Sequence, residues 1–177
     1  ESVREKNGSK SVSLSNISEA YEKSAGPGMR DEFSWTPDES ARSEKWGALA
    51  GEITTNMHEA IGHASGQLSP RLNGRPEAFL KEHFSALEEA RADLIGLYFI
   101  ADPKTAELGI VPVADQADVV RAEYEGYTRN ALTQLRRVRT GAEIEQSHMR
   151  MRQMIIHWLI AYTKAIGALQ SALEKHA

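Results

Sequence analysis

The sequence predicts an all-α fold with about four major helices packed around one core. Long proline-free stretches repeat apolar residues close to the helical period, and segments rich in glycine and proline separate these stretches. Strand signals are weak, because the one candidate, GIVPV, is short and interrupted by proline. The 177 residues suffice for a single domain, and 41% hydrophobic with 26% charged residues is ordinary for a globular protein.

Two of the predicted helices lie in the first half of the chain. The first begins at Asp38 or Ser40, which are both favourable N-caps, and runs without proline to His63. The second takes Pro76 as its first residue and ends near residue 101. Its apolar residues recur close to the helical period, at Phe79, Leu80, Phe84, Leu87, Leu94 and Leu97. Its longest apolar stretch, LIGLYFIA, is typical of a buried helix face.

Two further helices are predicted in the second half, from about Asp115 to Val138 and from about Ala142 to Lys175. Gly141 lies between them, as is common where a helix ends. The linker before them, residues 103–113, has room for one helical turn. Residues 1–10 are polar and are expected to be flexible.

Charge and composition exclude several classes of protein. The formal net charge is −4, which argues against a nucleic-acid binder. No run approaches the roughly 20 apolar residues that span a bilayer, so no membrane span is predicted. The N-terminus has no apolar signal core, which slightly favours the cytoplasm over the periplasm. With no cysteine in the chain, any zinc would be held by His, Asp or Glu.

The stretch HEAIGH carries two histidines, His58 and His63, five residues apart, with Glu59 after the first. On an ideal helix five residues separate two side chains by about 140°, whereas four separate them by about 40°. One local π-turn would bring both imidazoles onto one face, and such turns tend to occur at functional sites. Gly62 would supply backbone freedom for this distortion. The spacing therefore predicts a π-turn if both histidines bind one metal ion.

A third ligand could come from the stretch LEEARAD on the next predicted helix. Glu88 and Glu89 are adjacent and point about 100° apart, so at most one of them should face the ion. Glu89 and Asp93 are four residues apart and share a face, so one could bind metal while the other holds a ligand imidazole. Glu59 would then be the general base that takes a proton from the attacking water.

HEAIGH followed by EEARAD resembles the signature pair of the dipeptidyl peptidase III family of zinc metallopeptidases, HExxGH and EExRA(E/D). The flanking sequences HASGQL and DLIGLYF resemble that family as well. So do the upstream segment SVSLSNI and the downstream segment SHMRMR, and together these landmarks run from about residue 11 to residue 152.

The resemblance implies a helical, zincin-like catalytic subdomain with a zinc ion and assigned site residues. It implies His58, His63 and Glu89 as zinc ligands, Glu59 as catalytic base, and Glu88 and Asp93 as carboxylates that support the ligands. It also implies that His148 and Arg152 belong to the catalytic site, where the histidine binds substrate or stabilises the transition state. The implied reaction is removal of dipeptides from the N-terminus of oligopeptides.

The chain departs from the family pattern in two residues and in length. Ala90 stands where the family has cysteine, and Asp93 is one methylene shorter than the family's glutamate. Family members have two lobes with the substrate between them. Residues 1–177 are therefore expected to be one helical metal-binding domain, a catalytic part whose second lobe is missing and whose isolated activity is weak. The alternative is a non-catalytic helical module that binds a metal or a partner.

Overall fold

The computed structural model describes residues 28–138 and 146–174, together with residues 12, 14, 16, 17, 20 and 144. Four long α-helices carry the fold, and no strand occurs among these residues, so the all-α prediction is confirmed. The long helices are α1 (Pro37–Met57), α3 (Phe84–Phe99), α5 (Gln116–Leu135) and α6 (Ser147–Glu174). The short helices are α2 (Pro76–Leu80) and α4 (Lys104–Glu107). The predicted flexibility of residues 1–10 lies outside the described part of the chain.

Helix α1 begins slightly earlier than predicted, because Thr36 is its N-cap. The Glu39 backbone N–H donates to Thr36 Oγ1 at 3.2 Å, and Pro37 is the first helical residue. The Glu39 side chain is buried and accepts a hydrogen bond from Arg129 of α5 at 2.8 Å. This ion pair joins the start of α1 to the middle of α5, and removal of one partner would leave an uncompensated buried charge.

Two apolar clusters form the core. Ala50 and Ile53 of α1 pack with Ile100, Val111, Val119 and Ala122, which joins α1 to α5 and to the chain after α3. A second cluster joins α3, α5 and α6 through Ala90, Tyr127, Met151 and Ile155. Helix α3 therefore lies in the middle of the molecule, in contact with both α1 and α6.

The prediction of one continuous helix from Pro76 to about residue 101 is wrong. It is interrupted after Leu80 by a 3₁₀ turn, Lys81–His83, and Lys81 has a positive φ of 49°. No glycine or proline marks this break in the sequence, so the periodic pattern runs through it. Local residue preferences in the sequence therefore do not account for the break.

The apolar stripe predicted on this helix is also not its buried face. Phe79, Leu87 and Leu94 are 60%, 40% and 50% exposed. The buried residues of α3 are small or polar, namely Ala86, Ala90, Ala92, Asp93 and Gly96. A Cβ on Gly96 would lie 3.0 Å from the side chain and the carbonyl oxygen of Thr54 on α1. Because α1 approaches α3 this closely, only small side chains fit between the two helices.

The last two helices agree with prediction, and the single turn α4 lies within the predicted linker. The predicted helix end at Gly141 falls outside the described residues. In the outer half of α6, residues 157–167 are all exposed, and Trp158 stacks on Tyr162 with ring centroids 5.2 Å apart. None of the described helices combines the length and apolar character needed to cross a membrane.

Candidate metal centre

The predicted π-turn is present. Residues His58–Gly62 form a π-helix that continues directly from α1, and the His63 N–H donates to the His58 carbonyl at 2.9 Å, an i→i+5 hydrogen bond. The extra residue brings the two imidazole rings to a centroid separation of 4.7 Å. The five-residue spacing therefore places both histidines on one side of the helix.

Gly62 is needed for close packing and not for an unusual backbone conformation. It is not among the residues with positive φ. A Cβ at this position would lie 2.7 Å from Ala92 Cα, 2.8 Å from its Cβ and 3.0 Å from its carbonyl oxygen. These are largely backbone atoms of α3 that cannot give way. Our expectation that Gly62 supplies backbone freedom is therefore wrong. Glycine is required here because a residue without Cβ lets the π-helix pack against α3.

His58 is buried and is held by a carboxylate. Its Nδ1 donates to Asp93 Oδ1 at 2.6 Å. The hydrogen bond with Asp93 is the largest cause that raises the pKa of His58, and burial opposes it. Since Asp93 accepts the Nδ1 proton, the neutral imidazole presents the lone pair of Nε2 to its other side.

His63 is held in the same manner by a second carboxylate. Its Nδ1 lies 3.1 Å from Glu88 Oε1. Arg91 donates to both oxygens of Glu88, from Nη2 at 2.6 Å and from Nε at 3.0 Å. These hydrogen bonds are the main reason that the pKa of Glu88 is lowered. Arg91 in turn donates to the Ser65 carbonyl at 3.2 Å, so the loop after the π-helix is joined to α3.

The side chain of Glu89 lies where these two imidazoles converge. Its Oε2 is 3.3 Å from His58 Nε2 and 3.6 Å from His63 Nε2. Ligand atoms arranged tetrahedrally about 2.0–2.2 Å from a zinc ion are ~3.3–3.6 Å from one another. Oε2 is buried and makes no hydrogen bond with the described residues. An unsatisfied carboxylate oxygen facing two imidazole lone pairs fits a divalent cation such as zinc.

The other three residues assigned to the catalytic site lie at its rim, at its centre and behind it. Glu59 follows His58 on the π-helix and is exposed. His148, at the start of α6, has its Nε2 3.2 Å from Glu89 Oε2, and its side chain is 45% exposed. Arg152 lies instead beside Asp93, with Nε 3.9 Å from Oδ2. His148 therefore lies beside Glu89, where the two imidazoles converge, whereas Arg152 lies beside Asp93.

Helix α5 supplies residues that the sequence did not identify. The Tyr127 hydroxyl donates to Asp93 Oδ2 at 3.0 Å, and burial, together with the nearby Asp93 charge, holds the pKa of Tyr127 well above its usual range. Burial, reinforced by the charge of Asp93, raises the pKa of Glu123 to about 7. These two residues are four positions apart on one helix face, which is the only sequence signal that could have indicated them.

A cavity of about 630 Å³ opens beside the site. His63 and Glu88 line it on one side, and its apolar wall includes Leu80, Phe84 and Leu87. Part of the apolar stripe predicted on the second helix therefore faces this cavity and not the core.

Comparison with known proteins gives one finding. The model of peptidase family M49 matches residues 71–176, which is more than half of the chain. The matched region contains EEARAD and SHMRMR but begins after HEAIGH. None of the curated proteins compared with the sequence matches it. On the strength of the family match, the chain belongs to peptidase family M49, the dipeptidyl peptidase III family that its motifs resemble.

Proposed function

We propose that the chain is the catalytic part of a zinc-dependent peptidase that removes dipeptides from the N-terminus of oligopeptides. The observation that carries the proposal is the convergence of His58, His63 and Glu89, whose ligand atoms all lie within 4.8 Å of one another. Membership of family M49 supplies the peptidase class. The metal and the dipeptide product rest on this geometry and on the resemblance of the motifs.

The two imidazoles and the Glu89 carboxylate would hold the zinc ion. Bound there, zinc would act as a Lewis acid that lowers the pKa of water and polarises a carbonyl group. Asp93 and Glu88 keep the two imidazoles in the tautomer with a free Nε2 lone pair. They also supply negative charge beside the ligands, so removing either carboxylate should weaken metal binding.

Glu59 and His148 are placed to act on the substrate. Glu59 is exposed next to a ligand histidine, where its carboxylate can take a proton from the attacking water and pass it to the leaving amine. His148 lies across the site, where an Nε2–H can donate to the carbonyl oxygen as negative charge develops on it. Tyr127 donates a hydrogen bond to Asp93 and Arg152 lies beside the same carboxylate, so both would act through His58.

Zinc content tests the metal site directly. His63→Ala removes one ligand and should lose most of the zinc that the wild-type protein binds after chelation and reloading. His83→Ala is the matched control, because His83 is 63% exposed and, among the described residues, pairs only with Glu82. Zinc stoichiometry that stays the same in His63→Ala would refute the assignment.

Turnover of a dipeptidyl-naphthylamide tests the chemistry. Glu59→Gln should retain zinc and should lower kcat by about 10²–10⁴-fold, since it removes the base and leaves the ligands in place. Normal turnover by Glu59→Gln would show that another group takes the proton.

The second candidate function is a helical module that binds a partner without catalysis. The exposed Trp158–Tyr162 pair on α6 favours a protein partner on that helix. Zinc-loaded protein that binds a partner but does not cleave dipeptidyl substrates in its full-length form would favour this function over the first.

A further inference from the structure

Three imidazoles face Glu89 Oε2, and the partner at Nδ1 distinguishes one of them from the other two. Carboxylates face Nδ1 of His58 and Nδ1 of His63. The side-chain amide of Gln146 faces Nδ1 of His148, with Nε2 of the amide 2.9 Å away. An ionised carboxylate can only accept a hydrogen bond, whereas an amide can accept or donate according to its orientation.

A backbone contact decides the orientation of this amide. The Met149 N–H lies 2.8 Å from Gln146 Oε1 and is shared with the Gln146 backbone carbonyl at 3.1 Å. A backbone N–H can only donate, so the amide atom that faces it is the oxygen. The amide NH₂ group must then face His148, and it too can only donate. His148 Nδ1 is therefore the acceptor, and the proton of the neutral ring lies on Nε2.

We propose that Gln146 is a positioning residue that fixes His148 as an Nε2–H donor available to the substrate carbonyl. The substrate part rests on the proposed function, and the tautomer itself does not. Gln146 performs two tasks with one side chain, because its oxygen caps the first turn of α6 while its NH₂ group sets the proton on the imidazole.

The hydrogen-bond partner at Nδ1 agrees with the role proposed for each histidine. A ligand histidine needs a lone pair on Nε2, which an acceptor at Nδ1 provides. A histidine that stabilises developing negative charge needs a proton on Nε2, which a donor at Nδ1 provides.

Gln146→Glu separates the two tasks. One carboxylate oxygen can still accept from the Met149 N–H, so the start of α6 is kept. The other oxygen turns the neighbour of His148 Nδ1 into an acceptor, which favours the proton on Nδ1. Gln146→Met is a second variant that neither donates nor accepts strongly, so it should leave the two tautomers mixed. Ser147→Ala, at the adjacent position, is the control.

The tautomer is read in metal-free protein labelled with ¹⁵N-histidine, at pH 8.5, by two-bond ¹⁵N–¹H spectra of the imidazoles, with His148→Gln to assign the ring. The wild type and Ser147→Ala should show an unprotonated Nδ1 and a protonated Nε2. Gln146→Glu should show the reverse. A protonated Nδ1 in the wild type, or an unchanged tautomer in both Gln146 variants, would overturn the proposal.

Kinetics on the zinc-loaded full-length protein then connect the tautomer to catalysis. Gln146→Glu should lower kcat by roughly 10²-fold, the effect of losing one donor to a developing oxyanion, and should leave KM within about threefold. If the tautomer reverses but kcat does not fall, the tautomer assignment stands and the role of His148 in the proposed function fails. The two ideas can therefore fail separately.

Discussion

At the scale of single residues, the site depends on which atom carries a proton. Asp93 and Glu88 give two histidines the tautomer that binds metal, and Gln146 gives His148 the other one. Asp93 also bears the contacts from α5 and α6, since Tyr127 donates to its second oxygen and Arg152 lies beside it. One buried carboxylate thus connects His58 to two further helices.

Asp93→Asn should weaken zinc binding by about 10–100-fold, because the neutral amide holds His58 less firmly and supplies no negative charge. Competition with a fluorescent zinc chelator measures the affinity. Asp118→Asn changes an exposed aspartate of α5 and should leave the affinity as it is. Equal affinities for the two variants would contradict the role of Asp93.

Glu123→Gln should stabilise the metal-free protein at pH 8 much more than at pH 5. The folded state raises the pKa of Glu123 from 4.5 to about 7, so between these values the folded state binds the proton and the unfolded state does not. Stability therefore falls as pH rises through this window, on the order of 3 kcal/mol in all, and glutamine abolishes that loss.

Urea unfolding at the two pH values measures this difference. Glu52→Gln, which changes an exposed glutamate of α1, is the control and should show no such change with pH. A Glu123→Gln effect of the same size at pH 5 and pH 8 would show that burial does not perturb this carboxyl group.

At the scale of helices, the site depends on how closely the π-helix and α1 approach α3. A Cβ on Gly62 would lie 2.7 Å from Ala92 Cα of α3, and a Cβ on Gly96 of α3 would lie 3.0 Å from Thr54 of α1. Because Ala92 is adjacent to Asp93, the close packing of the π-helix on α3 brings the carboxylate to the imidazole. Leu94 of α3 is left at the surface and Phe84 and Leu87 line the cavity, whereas Leu97 packs against the second core cluster.

Gly62→Ala should destabilise the protein by about 1–3 kcal/mol, because the added methyl group meets the backbone of Ala92. It should also weaken zinc binding, since the π-helix must move away from α3. Gly51→Ala on α1 is the matched control. A Cβ there meets nothing within 4 Å, so helix propensity should give a gain of up to about 1 kcal/mol. Similar unfolding free energies for the two variants would refute the steric explanation.

At the scale of the whole molecule, the candidate site lies open on one side of a helical core. Glu59 is exposed, His148 is 45% exposed, and the apolar end of α6 extends over residues 157–167 without cover from the described residues. Holding a substrate in the reactive position can account for roughly 7–11 kcal/mol of a barrier. A site with this much exposure has few groups with which to hold a peptide.

The 177-residue chain should therefore bind zinc but cleave dipeptidyl-naphthylamides far more slowly than the full-length protein, since the proposed second lobe would supply the rest of the cleft. Both proteins are loaded with zinc and compared at saturating substrate. Equal rates, abolished in both by Glu59→Gln, would preserve the role of Glu59 and remove the need for a second lobe.

Patterns in the sequence predicted the features that depend on neighbours along the chain. Helical periodicity predicted the four long helices, and the spacing of His58 and His63 predicted the π-turn, since both depend on geometry within one helix. The spacing of Glu88, Glu89 and Asp93 within EEARAD limited which of these carboxylates could share a helix face. Apolar periodicity failed on α3, because a helix packed closely through small residues does not bury its largest ones.

Which distant side chains are in contact became known only from the tertiary structure. It paired His58 with Asp93 and His63 with Glu88, which local spacing had left open. It brought Tyr127 and Glu123 of α5 close to Asp93. These contacts join residues on separate helices. Their geometry is fixed by the packing of helices against one another, which no local pattern in the sequence encodes.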